Sequence, residues 1–225
     1  MGGFKNQQLN QIAKNNIYED MINFIFVSLE KMRENLLAEN KNIKNDEEKI
    51  RTHLLEHYLK NEQFKEKYFD DLYLLFNAEV AEGYDITSEE YIGRVDIKVY
   101  SINTIINPKD YYIIECKRID GSSTLNRKFI TEGICRFILN KPKYSSYNKK
   151  NIMLGFVVKN IDIEINTARI NEIQSEIEDI HICEKLERLK KEKEEYYLYR
   201  NKYKCGDKKI ELSHLFYNLS DVIDN

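Results

Sequence analysis

Asp96, Glu115 and Lys117 have the types and spacing of a set that works on phosphate. Asp96 lies in Gly93-Arg94-Val95-Asp96-Ile97-Lys98, and Glu115 and Lys117 in Ile113-Ile114-Glu115-Cys116-Lys117-Arg118. Both runs are rich in β-branched and aromatic residues, and in a strand side chains alternate between faces. In the first run, alternation groups Val95, Ile97 and Val99 against Arg94, Asp96 and Lys98, so Asp96 is expected to leave the core. In the second, Ile113, Glu115 and Lys117 share a face, and a carboxylate and an ammonium emerge side by side. If the two strands are neighbours, Asp96 and Glu115 can share a hard divalent cation, Mg²⁺ or Mn²⁺, with the Cys116 carbonyl as a further oxygen ligand. Phosphodiester cleavage needs an activated water, an oriented phosphate and relief of growing negative charge. Two carboxylates, a metal and a lysine meet those needs.

The charges nearby have a direction. Net charge is −3 over 225 residues, which gives no global signature of nucleic-acid binding. Between Glu115 and Asn151, however, nine basic residues face three acidic ones, whereas from Asp162 to Glu195 eleven acidic residues outnumber six basic ones. The first stretch holds the candidate nucleic-acid contacts Arg136, Lys141, Lys143, Lys149 and Lys150. Arg136 sits four residues after Glu132, a spacing that serves either a phosphate contact or a simple helix pair. In Asn140-Lys141-Pro142-Lys143-Tyr144-Ser145-Ser146-Tyr147, lysines interleave with tyrosines. That mixture suits backbone contact with base stacking, or else a solubilising loop.

Elements that would position these groups are legible in the periodicity. Apolar residues from Ile17 through Leu36 recur at helical intervals in a first long helix over about Gln8–Glu39. Asn45 and Asp46 can cap a second helix carrying Ile50, Leu54, Leu55, Tyr58 and Leu59. Leu72–Val80, Ile92–Tyr100 and Tyr111–Arg118 read as three strands of an antiparallel meander. Gly121-Ser122-Ser123 turns into a helix through Ile138, and Ile152–Val158 is apolar enough for a buried central strand. A charged helical region is expected over Thr167–Glu195, including the mixed-charge run around Lys190, and a hairpin around Cys205-Gly206-Asp207.

Composition bounds the class. Apolar residues make 42% and charged residues 32%, with two prolines and eight glycines, which suits one packed α/β domain over residues 1–225. Its parts read as an N-terminal helical segment (1–45), a core (46–160) and a C-terminal helix-plus-hairpin extension (161–225). The polar start and the shortness of the apolar stretch Met21–Leu29 point to a cytoplasmic protein with no membrane segment. Cys116, Cys135, Cys183 and Cys205 form no CxxC pair and read as reduced thiols. One competing motif is His53-Leu54-Leu55-Glu56-His57, the HxxEH pattern of inverted zincin metallopeptidases; no third ligand in similar context follows it.

Through Val95-Asp96 and Glu115-Cys116-Lys117, the chain resembles the PD-(D/E)XK nuclease superfamily. The resemblance covers roughly residues 46–160, and the proline that often precedes the aspartate is absent. It implies a restriction-endonuclease-like mixed central sheet flanked by helices. It also implies metal held by Asp96, Glu115 and the Cys116 carbonyl, Lys117 positioning or activating water, and a 5′-phosphate product. Many members add an acidic ligand from the helix before the sheet; Glu48 is the choice here, and Glu79 competes with it. The implied partner is nucleic acid, DNA by the family analogy, in a restriction or anti-phage defence setting that would add a partner protein. Cutting both strands with one centre per chain favours a homodimer or sequential nicking. A non-catalytic binding module on the same fold is the alternative.

Overall fold

The computed structural model describes residues 3–69, 73–139, 141–145, 148–189 and 196–224, with side chains from residue 12 on. Leu72, Tyr147 and the charged run 190–195 lie outside the described residues. The described strands form one seven-stranded mixed sheet. Its order is β1 (Leu74–Asp85), β2 (Glu90–Ser101), β3 (Tyr111–Ile119), β4 (Lys150–Val157), β7 (Lys208–Asn218), β6 (Tyr196–Cys205) and β5 (Ile182–Arg188). The first three strands are the expected antiparallel meander. β4 runs parallel to both β3 and β7, and β6–β7 is the expected hairpin. β4 is buried along nearly its whole length, as a strand covered on both faces must be.

Helices cover the two faces and divide the apolar interior into two cores. On one side, α1 (Gly3–Ala38), α2 (Glu47–Leu54) and α3 (Glu62–Tyr68) lie over the sheet. Phe24, Leu29, Ile50 and Leu54 there join Ile97, Ile114, Cys116 and Leu154. Asp46 caps α2, its carboxylate accepting from the Lys49 amide at 3.1 Å, and the helix runs on as a π turn, Leu55–Leu59. A short α4 (Ile102–Ile106) links β2 to β3. On the other side lie α5 (Ser123–Phe129), a π turn (Ile130–Ile134), α6 (Cys135–Ile138) and α7 (Ile163–Ser175). Phe129, Ile134, Phe137 and Ile170 pack there with Ile113, Met153, Leu212 and Phe216.

The C-terminal helical expectation is too long. α7 ends at Ser175, and 182–188 form the edge strand β5. Mixed charges at short spacing read as a solvated helix face, but they equally protect a sheet edge. Here Glu184 pairs across strands with Lys202 at 2.8 Å. All four cysteines are free: Cys116 and Cys135 are buried, Cys205 is half-buried and Cys183 is exposed. No helix among the described residues is long and apolar enough to cross a membrane.

Gly155 shows how tightly the central strands fit. It pairs with Lys117 on β3 and Phe216 on β7, and a Cβ at this position would sit 2.4 Å from Phe216 Cδ1. The Phe216 ring is fully buried and packs against the rings of Phe129 and Tyr199. Gly155→Ala is expected to cost about 1–3 kcal/mol through overpacking, measured as a lowered midpoint in urea at unchanged m-value.

Candidate active site

β2 and β3 separate at the point where the three residues stand. Their pairing ends at Ile97↔Ile114, which places Asp96 and Glu115 one step beyond the last pair. On the other side of β2, the β1 pairing is interrupted between Ala78↔Ile97 and Val80↔Val95, where Glu79 holds a left-handed backbone with φ 56°. A non-glycine residue in that region is strained, and such strain is held in place only by surrounding contacts. The interruption breaks the expected alternation: Ile97 and Val99 enter one core but Val95 enters the other. Asp96 therefore does not leave the interior; it is 8% exposed and turned into the gap between the strands.

In that gap, acids and bases alternate. Asp96 Oδ1 accepts from Arg51 Nη1 at 2.6 Å, and Oδ2 accepts from the Cys116 amide at 2.7 Å. Arg51 of α2 also pairs with Glu79, which Arg94 approaches at 2.6 Å. Lys117 Nζ donates to Glu47 Oε1 at 2.9 Å and to the Cys116 carbonyl at 2.8 Å. Glu47 Oε2 accepts from the Arg118 amide at 3.2 Å, and the Arg118 guanidinium donates to the Asn45 carbonyl at 2.6 Å. The end of β3 thus holds the start of α2 against the site.

Glu115 is fully buried. Tyr144 Oη donates to its Oε2 at 2.6 Å and accepts from Arg136 Nη1 at 2.5 Å. Lys117 Nζ and Arg136 Nη1 come within 2.9 and 3.2 Å of Oε1, but neither is aligned for a hydrogen bond, and Oε1 has no hydrogen-bonded partner. Burial and then the neighbouring Asp96 push the Glu115 carboxyl up to about 7, against the opposing pull of Lys117, Arg136 and the Tyr144 hydroxyl. Burial acts to lower the Lys117 ammonium, but Glu115, Glu47 and Asp96 outweigh it and hold it above its ordinary range. Lys117 is therefore a fixed positive charge, suited to orient and stabilise rather than to take up a proton.

This donor set fits a hard cation. A fully buried carboxylate oxygen without a hydrogen bond is costly unless a ligand completes it. Glu115 Oε1, Asp96 and the Cys116 carbonyl are all oxygen donors. Among the described residues, no three His, Cys, Asp or Glu side chains converge as ligands. Two carboxylates and a carbonyl leave the remaining positions to water and phosphate, which is how Mg²⁺ is commonly held.

Two grooves meet at the site. One, of about 540 Å³, is lined by Glu79, Arg94, Asp96, Arg136 and Lys143; the other, of about 360 Å³, by Glu48, Arg51, Lys117, Arg118 and Lys128. Glu48 faces this second groove, while the carboxylate that touches Lys117 is its neighbour Glu47. The competing candidate Glu79 lines both grooves but is held by two arginines. An apolar cleft of about 510 Å³ between α3 and α4 contains none of these groups.

The basic candidates separate in space. Arg136 and Lys143 line the first groove, whereas Lys150 starts β4 and reaches Asn15 of α1 at 3.1 Å. Lys141 and Lys149 are exposed. Of the two readings of Arg136, the helix pair with Glu132 is not the arrangement seen among the described residues. A π turn lies between α5 and α6, Glu132 lines the second groove, and Arg136 reaches Glu115 instead. Tyr144 is no stacking platform: its ring is fully buried and its hydroxyl belongs to the site. Bare backbone at Gly93, where a Cβ would meet the Lys143 carbonyl at 2.9 Å, lets this loop seat against β2. Tyr144→Phe removes a hydrogen bond to the ionised form of Glu115. It is expected to raise that group's titration midpoint further, by roughly one pH unit, followed by carboxyl ¹³C NMR.

Sequence reasoning missed Arg51, Arg94, Glu47 and the Tyr144 hydroxyl. A usable signal was present for two of them: Glu47 and Arg51 lie one turn apart on α2, on the side that meets the sheet. The HxxEH motif is elsewhere. The rings of His53 and His57 lie 4.4 Å apart, tilted by 39°, in a cleft with Glu39 and Tyr58, while Glu56 pairs with Lys60 at 2.7 Å. The described residues bring no third ligand to that pair.

No family model, no curated protein and no solved structure matches this chain.

Proposed function

We propose that this chain is a metal-dependent nuclease that hydrolyses DNA phosphodiester bonds on a restriction-endonuclease-like fold. The observation that carries the reading is the meeting of Asp96, Glu115 and Lys117 at one buried point between two grooves lined by both acidic and basic side chains, with one Glu115 oxygen left without a hydrogen bond. The order α2, β1–β2–β3, α5–α6, β4 agrees with the segment over which the sequence resembles PD-(D/E)XK nucleases. The choice of DNA rests on that resemblance.

Mg²⁺ or Mn²⁺ held by Asp96, Glu115 and the Cys116 carbonyl would supply Lewis acidity at the phosphate and a more acidic water. The chain's own groups do the rest. Tyr144 and Arg136 fix Oε2 of Glu115 and so aim Oε1 at the reacting position. The Lys117 ammonium, 2.9 Å from that oxygen, orients a water and stabilises charge that grows on the phosphate. Arg94, Arg136 and Lys143 line a path for the backbone on one side, and Arg118 and Lys128 on the other.

The test is cleavage of linear, circular and single-stranded DNA with Mg²⁺, Mn²⁺ or EDTA, comparing wild type with Lys117→Ala and Asp96→Ala. Metal-dependent cutting that both substitutions abolish is the expected result. Equal activity in all three proteins would identify a contaminant. No activity in any of them, on RNA as well, would favour a binding module over an enzyme.

A further inference from the structure

Around the site, the carboxylates of Asp96, Glu79, Glu47 and Glu115 are each matched to a cation of the chain itself. Arg51 pairs with Asp96 and Glu79, Arg94 with Glu79, Lys117 with Glu47 and Glu115, and Arg136 with Glu115. Asp96 is held at both carboxylate oxygens. Its Oδ2 accepts from a strand amide and its Oδ1 from Arg51, so a cation that binds Oδ1 meets the guanidinium at the same oxygen. Arg51 is 7% exposed and faces the groove that also holds Lys117, Arg118 and Lys128.

We infer that Arg51 is a resident counter-ion that exchanges Asp96 for a substrate phosphate, and so couples cation binding to nucleic-acid binding. This rests on the nuclease reading and adds a positioning residue to it. A divalent cation that arrives alone at Oδ1 leaves the guanidinium facing it across a poorly hydrated gap, with Glu79 as its remaining acid. Like charges repel strongly where water is scarce. A cation that arrives with a phosphate gives Arg51 a new partner, because the guanidinium fork binds phosphate oxygens in pairs as readily as carboxylate oxygens. Two ligands that each remove the other's obstacle bind cooperatively, and the factor is the same measured from either side. Arginine suits this exchange because it stays charged throughout and its planar fork fits both partners.

The experiment titrates Mn²⁺, followed by the EPR signal of the free ion, into the full chain with and without a duplex oligonucleotide of phosphorothioate linkages. Wild type is expected to bind Mn²⁺ weakly alone and about 10-fold more tightly with the duplex, within the usual range of coupling between sites. Arg51→Gln keeps a donor to Asp96 without the charge. It should bind Mn²⁺ alone about 10-fold more tightly than wild type, with no further gain from the duplex. Arg51→Lys keeps the charge but loses the fork; it should bind Mn²⁺ as weakly as wild type with little gain from the duplex, and it serves if Arg51→Gln does not fold. Equal Mn²⁺ affinity in wild type and Arg51→Gln, or weaker binding in the variant, overturns the inference while leaving the metal site standing. Mn²⁺ binding that is absent in wild type, or unchanged by Glu115→Gln, overturns the nuclease reading along with it.

Discussion

Lys117→Ala is expected to lower metal-dependent cleavage by about 10³-fold, the scale on which one preorganised charge or proton-transfer group acts. The effect has two separable parts. The first is loss of the ammonium 2.9 Å from Glu115 Oε1, which no change of buffer restores. The second is indirect: Lys117 opposes the upward shift of Glu115, so without it the carboxyl keeps its proton to higher pH. A metal ligand must be deprotonated, so cation binding in the variant should need a higher pH than in wild type. Measuring Mn²⁺ affinity and turnover at pH 7 and pH 9 divides the two: affinity returns at pH 9 and turnover does not. Cleavage by Lys117→Ala within tenfold of wild type at either pH would remove Lys117 from the mechanism.

Glu115→Gln is expected to change how stability depends on pH in the metal-free protein. The folded-state carboxyl is pushed up to about 7, chiefly by burial, from an ordinary value of 4.5. A group raised in this way binds its proton more tightly folded than unfolded. Its contribution is fully present below about pH 4.5 and is lost as pH rises through 7. The stability of wild type relative to Glu115→Gln should therefore fall by roughly 3 kcal/mol between pH 4.5 and pH 8 in EDTA, most of it above pH 5. Urea unfolding of both proteins across that range gives the difference directly. Millimolar Mn²⁺ should restore the wild type selectively at the alkaline end, because the cation binds the form that has lost its proton. A difference that is flat with pH would mean that Glu115 is well solvated in solution and is no buried ligand.

Glu115 and Lys117 were legible because they sit in a run whose local pattern is unambiguous. Ile113-Ile114-Glu115-Cys116-Lys117 alternates cleanly, and the structure places Glu115 and Lys117 on one face of β3 with their charged ends 2.9 Å apart. The Asp46 and Ser122 caps were visible for the same reason, since a cap is made by neighbours in the chain. Asp96 was legible as a residue but not in its setting. Strand alternation assumes an unbroken ladder, and the ladder breaks at Glu79, on the other strand of the pair. The helical reading of 182–188 failed similarly, because whether mixed charges sit on a helix or a sheet edge depends on whether a partner strand is present.

By itself, then, the sequence determined the order of most elements, the β2 and β3 segments, and which acid and lysine side chains stand at their ends. Tertiary structure decided what those side chains face. Arg51 reaches Asp96 from 45 residues away, Tyr144 reaches Glu115 from 29, and Glu47 reaches Lys117 from 70. Local patterns carry no information about such partners, since contacts at that separation form only when helix and sheet packing bring distant segments together. The proton affinity of Glu115 depends on those same contacts, because burial and neighbouring charge are properties of the folded site rather than of the glutamate.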